Sequence, residues 1–204
     1  MMNAGEQEGT IYIVDDDQAI RHAMGLLMQS VGLKCEIFES ADDFLKDYTN
    51  DRSGCLVLDI RMPGMGGLEL QETLREKECT LPIIFITGHG DIPMAVEAMQ
   101  KGAFDFIQKP FRDQDLLDRV RDALMTDKER REENERHTEV EKRLARLTNR
   151  EREVFDLVVT GKPNKVIAYE LGVSQRTVEI HRARVMEKMQ ARSLADLVKM
   201  HMTA

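Results

Sequence analysis

The stretch Cys55–Gly67, reading Cys-Leu-Val-Leu-Asp-Ile-Arg-Met-Pro-Gly-Met-Gly-Gly, constrains the fold more than any other part of the chain. Four apolar residues without alternation describe a strand buried on both faces. The strand ends at Asp59, and Pro63, Gly64, Gly66 and Gly67 forbid an immediate return to regular structure. One carboxylate therefore stands at the carboxyl end of a central strand, where open α/β sheets keep their reactive groups.

The segments around it alternate between strand and helix, the pattern of a parallel sheet covered by helices. Strands are expected near 10–14, 34–38, 82–87 and 104–108. Helices are expected up to Val31, from the Ser40/Asp43 cap, over 67–77, over 92–101 and from Asp113. With the Asp59 strand this makes five βα units, a doubly wound α/β sheet. From Asp127 to Arg146 the chain is mostly charge. Asp127–Arg131, Glu132–Arg136 and Glu139–Arg143 are acid-before-base pairs four apart, which support a solvated helix. A helical spacer continuing helix five is expected to set domain orientation, with no heptad seam except a short one at Val140, Leu144 and Leu147. The tail reads as all-helical. Thr148/Glu151 caps one helix, Asn164 a second and Ser193/Asp196 a fourth, with a third between Ser174 and about Met189. Two short helices around Gly172-Val173, the second rich in arginine, form a helix-turn-helix pattern. The expected domains are 1–125, a charged linker 126–146, and 147–204.

Charge follows the same division. Residues 1–125 carry 12 basic against 23 acidic residues, 126–147 seven of each, and 148–204 ten against seven. Only the tail is therefore a candidate to meet nucleic acid. Cys35, Cys55 and Cys79 show no close pairing and read as reduced core thiols. No apolar run has membrane-spanning length and no signal segment is evident, so the expected location is the cytoplasm, with no membrane contact.

Asp15 and Asp16 follow the first strand, Asp59 the third, Thr87 the fourth and Lys109 the fifth. Crowded carboxylates repel unless a cation neutralises them. An all-oxygen set that retains water suits Mg²⁺, with Mn²⁺ the alternative. A carboxylate beside a divalent cation, a hydroxyl and an ammonium is a phosphoryl acceptor. Each part alone has a plainer reading: an aspartate run is a polar turn, Thr87 a strand end, and Phe106 a core residue. Five histidines show no metal-ligand spacing.

The combination Asp15/Asp16, Asp59 in Asp-x-Arg-Met-Pro-Gly, Thr87-Gly88 and Lys109-Pro110-Phe111 resembles the receiver domain of two-component response regulators, a CheY-like, flavodoxin-like fold, over about residues 8–125. The resemblance implies that Asp59 accepts a phosphoryl group from a sensor histidine kinase. It implies that Asp15, Asp16, Asp59 and the Arg61 carbonyl hold the metal, Asp15 through water. Thr87, Gly88 and Lys109 would then bind phosphate, Thr87 and Phe106 form the switch, and Lys109-Pro110 take the cis form. His89 and Arg61 stand where the family tunes phosphoryl lifetime. The runs Leu147-Thr148, Asn164-Lys165-x-Ile167-Ala168, Thr177-Val178-Glu179-x-His181 and Val185…Lys188-Met189 resemble a LuxR-type helix-turn-helix over about 147–201.

Taken together, the chain resembles the FixJ/TtrR/StyR branch of response regulators. That implies a transcription regulator, not an enzyme, whose partners are a histidine kinase, double-stranded promoter DNA and RNA polymerase. It also implies a homodimer formed on phosphorylation through helix four and strand five. Candidate DNA contacts are Lys165, Ser174, Arg176, Thr177, Glu179, Ile180, Arg182, Ala183 and Arg184. Arginine reads guanine or grips phosphate, and glutamate accepts from cytosine N4. Better-known members have lysine where Glu179 stands. His181 is expected to be a packed structural residue. An aspartate-based phosphatase would use the same groups but wants an Asp-x-Asp nucleophile pair, whereas Asp59 is followed by Ile-Arg. A protein-binding adaptor is the other rival, and the basic third helix of the tail argues against it.

Overall fold

The computed structural model describes residues 9–88 and 92–203. His89, Gly90 and Asp91 lie outside them, and with them the expectation attached to His89. The chain divides into two compact units, Met1–Arg130 and Arg131–Ala204.

The first unit is a five-stranded parallel sheet in the order β2-β1-β3-β4-β5. Its strands are β1 Thr10–Val14, β2 Cys35–Phe38, β3 Gly54–Asp59, β4 Ile83–Thr87 and β5 Asp105–Gln108. Helices α1 Gln18–Ser30, α2 Ala41–Asp47, α3 Gly67–Glu76, α4 Ile92–Gln100 and α5 Asp113–Leu144 follow them in turn. The unbroken apolar run is explained by position: β3 is central and every residue from Gly54 to Asp59 is buried. Its alternate residues feed two cores. Leu56 and Leu58 join Tyr12, Phe44, Leu70 and Phe85, while Cys55 and Val57 join Ile13, Met28, Ile84 and Leu116. Burial pushes the Cys55 thiol up to about 12, as expected of an unreactive core thiol.

Local signals set the helix starts. The Asp17 side chain accepts from the Ala19 and Ile20 amides and starts α1 directly after the aspartate turn. At Gly67 a Cβ would come within 2.3 Å of the Asp59 carbonyl oxygen, so only glycine lets α3 begin against the end of β3.

Helix α5 is longer than the sheet needs for cover. Leu116, Leu117, Val120 and Ala123 belong to the sheet's second core. The same continuous helix runs on through the charged region, where Val140 and Leu144 are buried in the core of the second unit. The short seam expected there is therefore covered within the chain by the tail's own helices. The second unit adds α6 Asn149–Val159, α7 Asn164–Leu171, α8 Gln175–Met189 and α9 Leu194–Thr203. Thr148 and Glu151 form a reciprocal capping box on α6. One cap differs from expectation: Pro163, not Asn164, is the N-cap of α7, and Asn164 is its first helical residue. The Asn164 side chain is engaged elsewhere and accepts from Arg182. No helix of the described residues is long and apolar enough to cross a membrane.

Candidate functional site

The parallel register brings the expected acidic residues together. Asp15 follows β1, Asp59 ends β3, and a carboxylate oxygen from each of Asp15, Asp16 and Asp59 lies within 4.8 Å of the others. Asp15 is fully buried, Asp59 nearly so, and Asp16 is exposed at the rim. Lys109 reaches over from the end of β5. Its Nζ donates to Asp15 Oδ2 at 2.9 Å and to Asp59 Oδ2 at 2.6 Å. The other oxygens are held by main-chain donors: Asp59 Oδ1 by the Arg61 amide at 2.9 Å, Asp15 Oδ1 by the Asp17 amide at 2.8 Å. The Lys109–Pro110 peptide is cis, as the resemblance implied.

Electrostatics explain why these groups stay together. Burial pushes the Asp15 carboxyl above its ordinary range, opposed by the Lys109 ammonium and the Asp17 amide. Burial alone would lower Lys109, but the hydrogen bonds it donates to Asp59 and Asp15 outweigh that and hold its pKa above the ordinary value. One ammonium thus bridges two carboxylates, leaving an acidic, all-oxygen pocket with an open rim at Asp16. Hard oxygen donors in that number fit Mg²⁺ better than a soft metal.

Thr87 ends β4, buried, with its hydroxyl donating to the Ile107 carbonyl at 3.4 Å. It follows Ile83 and Phe85 on one face of the strand. Phe106, the register partner of Phe85, packs half-buried on that same face. Gly88, next in the chain, is half-buried. Arg21 had not been singled out. One turn into α1, it donates from Nη1 to the Asp15 carbonyl at 2.6 Å, adding positive charge behind the aspartates. The signal was its place six residues after Asp15, which a charged residue on an amphipathic helix does not advertise.

In the second unit Ser174 caps α8, its hydroxyl accepting from the Thr177 amide at 3.1 Å. Val178, Val185 and Met189 are buried and define the inner side of α8. At about 100° per residue, Arg176, Ile180 and Ala183 fall within about 40° of the opposite side. By the same count Glu179 and Arg184 sit on its two flanks, about 100° and 120° from Val178. All five are exposed, as is Lys165 on α7. Glu187, also exposed, shares the outer side and had not been singled out. Arg182 differs: about 40° from the inner side, it is half-buried. Its Nη1 donates to Asn164 Oδ1 at 2.8 Å. His181 is half-buried beside the core, and its Nδ1 has no hydrogen-bond partner among the described residues.

Comparison with known proteins agrees with both halves. Residues 11–121 match the response regulator receiver domain, and residues 145–201 match the bacterial regulatory proteins of the luxR family. The chain is 46% identical over 194 residues to response regulator protein TmoT of Ectopseudomonas mendocina, across 95% of this chain and 88% of that protein. It is 48% identical over 193 residues to nodulation protein W of Bradyrhizobium diazoefficiens, across 95% of this chain and 85% of that protein. The solved structure of response regulator StyR superposes with a TM-score of 0.87 at 45% identity. That match covers 96% of this chain and 98% of StyR.

Proposed function

Because the chain belongs to the response regulators that join a receiver domain to a LuxR-family DNA-binding domain, we propose that Asp59 is the phosphoacceptor of a two-component system and that its phosphorylation controls binding of the tail to promoter DNA. The observation that carries this reading is the pocket itself: three aspartate carboxylates within 4.8 Å, two of them bridged by Lys109.

Receiver domains bind Mg²⁺ at an acidic pocket, and the donors here fit it. Asp15, Asp16, Asp59 and the Arg61 carbonyl would hold the ion, Asp15 through water, and Mn²⁺ would serve as well. When bound, the ion offsets phosphoryl charge. Asp59 contributes the nucleophilic oxygen, forming an O–P bond as the P–N bond of a sensor kinase's phosphohistidine breaks and the imidazole departs. Lys109, already 2.6 Å from Asp59, neutralises the transferred group. Thr87, the last residue of the neighbouring strand, and the Gly88 amide just after it are suited to take its oxygens. A Thr87 hydroxyl drawn toward the phosphoryl group would leave the Ile107 carbonyl, freeing room on the face that Phe106 shares. The resulting receiver form dimerises through α4 and β5 and pairs two tails on DNA. There Arg176, Glu179, Ile180 and Ala183 read bases, with Thr177 beside them. Lys165, Ser174 and Arg184 hold the backbone, Arg182 ties α8 to α7 through Asn164, and RNA polymerase is recruited in the cytoplasm.

Incubation with acetyl phosphate and Mg²⁺ tests the first step. One acid-stable, base-labile phosphoryl group per chain is expected, and none in Asp59→Asn. Label surviving in that variant would remove Asp59 from the role.

A further inference from the structure

Asp127 lies in the charged segment that sequence reading treats as solvated spacer, yet its residue surface is only 2% exposed. Its Oδ2 accepts from the Gly54 amide at 2.8 Å, across 73 positions of sequence. Gly54 opens β3. There φ is +129° and a Cβ would come within 1.8 Å of the Thr10 carbonyl oxygen, so the chain enters the strand in a form reserved for glycine. Arg130 stands three residues further, on the same side of α5. Its Nη1 donates to the Thr80 carbonyl at 2.8 Å, in the connection that feeds β4. Earlier on α5, Arg119 pairs with Asp105 at 3.0 Å, at the first residue of β5. One helix is therefore tied to the entrances of three consecutive strands. The far ends of these strands carry or adjoin Asp59, Thr87 and Lys109.

We infer that Asp127 is a positioning residue that couples the phosphoacceptor strand to helix α5, by fixing the helix to the entrance of β3. Strand β3 is central and buried throughout, so Gly54 and Asp59 are opposite ends of one stiff element, about 17 Å apart at the usual rise. A carboxylate bonded to the amide at one end passes a shift of that strand into α5. The same helix supplies Val140 and Leu144 to the core of the DNA-binding unit. A main-chain donor buried at Gly54 needs an acceptor, and the Asp127 side chain supplies it.

The inference rests on phosphorylation of Asp59 as proposed above, and the full-length chain tests it. Phosphoryl uptake and DNA affinity are measured separately, with and without acetyl phosphate, on wild type, Asp127→Ala, Asp127→Asn and Arg130→Ala. Wild type is expected to gain about fivefold or more in affinity on phosphorylation. Asp127→Ala should take up the phosphoryl group normally but gain less than about twofold. Asp127→Asn keeps an acceptor for the Gly54 amide and should retain most of the gain. A variant that merely lost stability would weaken binding in both states and leave the ratio unchanged. An unchanged ratio in a phosphorylated Asp127→Ala protein overturns the coupling role. Should that variant fail to fold, the exposed Arg130→Ala decides in its place: a reduced ratio supports the clamp and an unchanged one overturns it. A wild-type chain that takes up no phosphoryl group would instead overturn the reading beneath.

Discussion

Lys109 shows how a single side chain sets the character of its surroundings. It is the ammonium shared by Asp15 and Asp59, and Asp15 is fully buried. Removing one partner of a buried ion pair costs more than the pair contributes, because the remaining charges have nowhere to go. Lys109→Ala is therefore expected to lower the unfolding free energy of the metal-free protein by about 3 kcal/mol. Added Mg²⁺ should restore more stability to the variant than to wild type, since it replaces the missing positive charge. Denaturant titrations with and without Mg²⁺ read this directly, and an equal Mg²⁺ effect on both proteins would contradict it. Glu151 makes a parallel case in the tail. Lys188 donates to its Oε2 at 2.6 Å and the Thr148 amide at 2.8 Å, and these two bonds lower its pKa to about 2. A depressed carboxyl contributes stability that is complete above its ordinary value near 4.5 and fades as pH falls toward 2. Glu151→Gln should thus be less stable by about 2 kcal/mol near neutrality. The gap should close on acidification through that window. Hydrogen exchange of the α6 and α8 amides against pH checks it, and a gap independent of pH would assign the loss to packing instead.

Among the helices, α8 separates what sequence periodicity reveals from what it hides. Its inner residues Val178, Val185 and Met189 recur at helical spacing, and its start near Ser174 was legible, but the capping role of the Ser174 hydroxyl was not. The acid pocket was legible for a related reason: Asp15 and Asp59 each follow an apolar run and begin a turn, so composition changes where the chemistry sits. What was hidden is polar and long-range. Asp127 sits between Thr126 and Lys128 in a segment of near-continuous charge, where nothing local distinguishes a buried carboxylate from a solvated one. The Arg182–Asn164 bond spans 18 positions and two helices, so neither residue announces the other. Arg182 is accordingly expected to act differently from Arg184 on its exposed flank. Arg184→Ala should weaken binding to all DNA and reduce the salt slope by roughly one per subunit, as loss of one phosphate contact does. Glu179→Ala should relax preference at one base pair, worth about 1–3 kcal/mol. A panel of single-base operator variants at two salt concentrations distinguishes them. A uniform loss for Glu179→Ala would take it out of the base-reading set.

For the molecule as a whole, the uneven charge favours the tail as the part that meets DNA, and the proposed dimer would fix how. Residues 1–125 have 11 more acidic than basic residues, whereas 148–204 have three more basic than acidic. A surplus of three is small for a DNA-binding unit, and the acidic receiver opposes approach to a polyanion, so one chain alone should bind weakly. Two tails joined through their receivers would bind a two-part site with an effective concentration gained from the link. Phosphorylation would then raise affinity through assembly, without any new contact to DNA. Helix-turn-helix dimers demand half-sites on the same side of the duplex, one helical turn or a multiple of it apart. The target should therefore be an inverted repeat, and inserting about five base pairs between its halves should remove most of the phosphorylation-dependent gain. Inserting about ten base pairs should restore part of it by returning the second half-site to the same side. Mobility shifts of the phosphorylated chain on these three spacings make the comparison. Equal affinity on all three would mean that the two tails bind independently, and that the gain on phosphorylation has another origin.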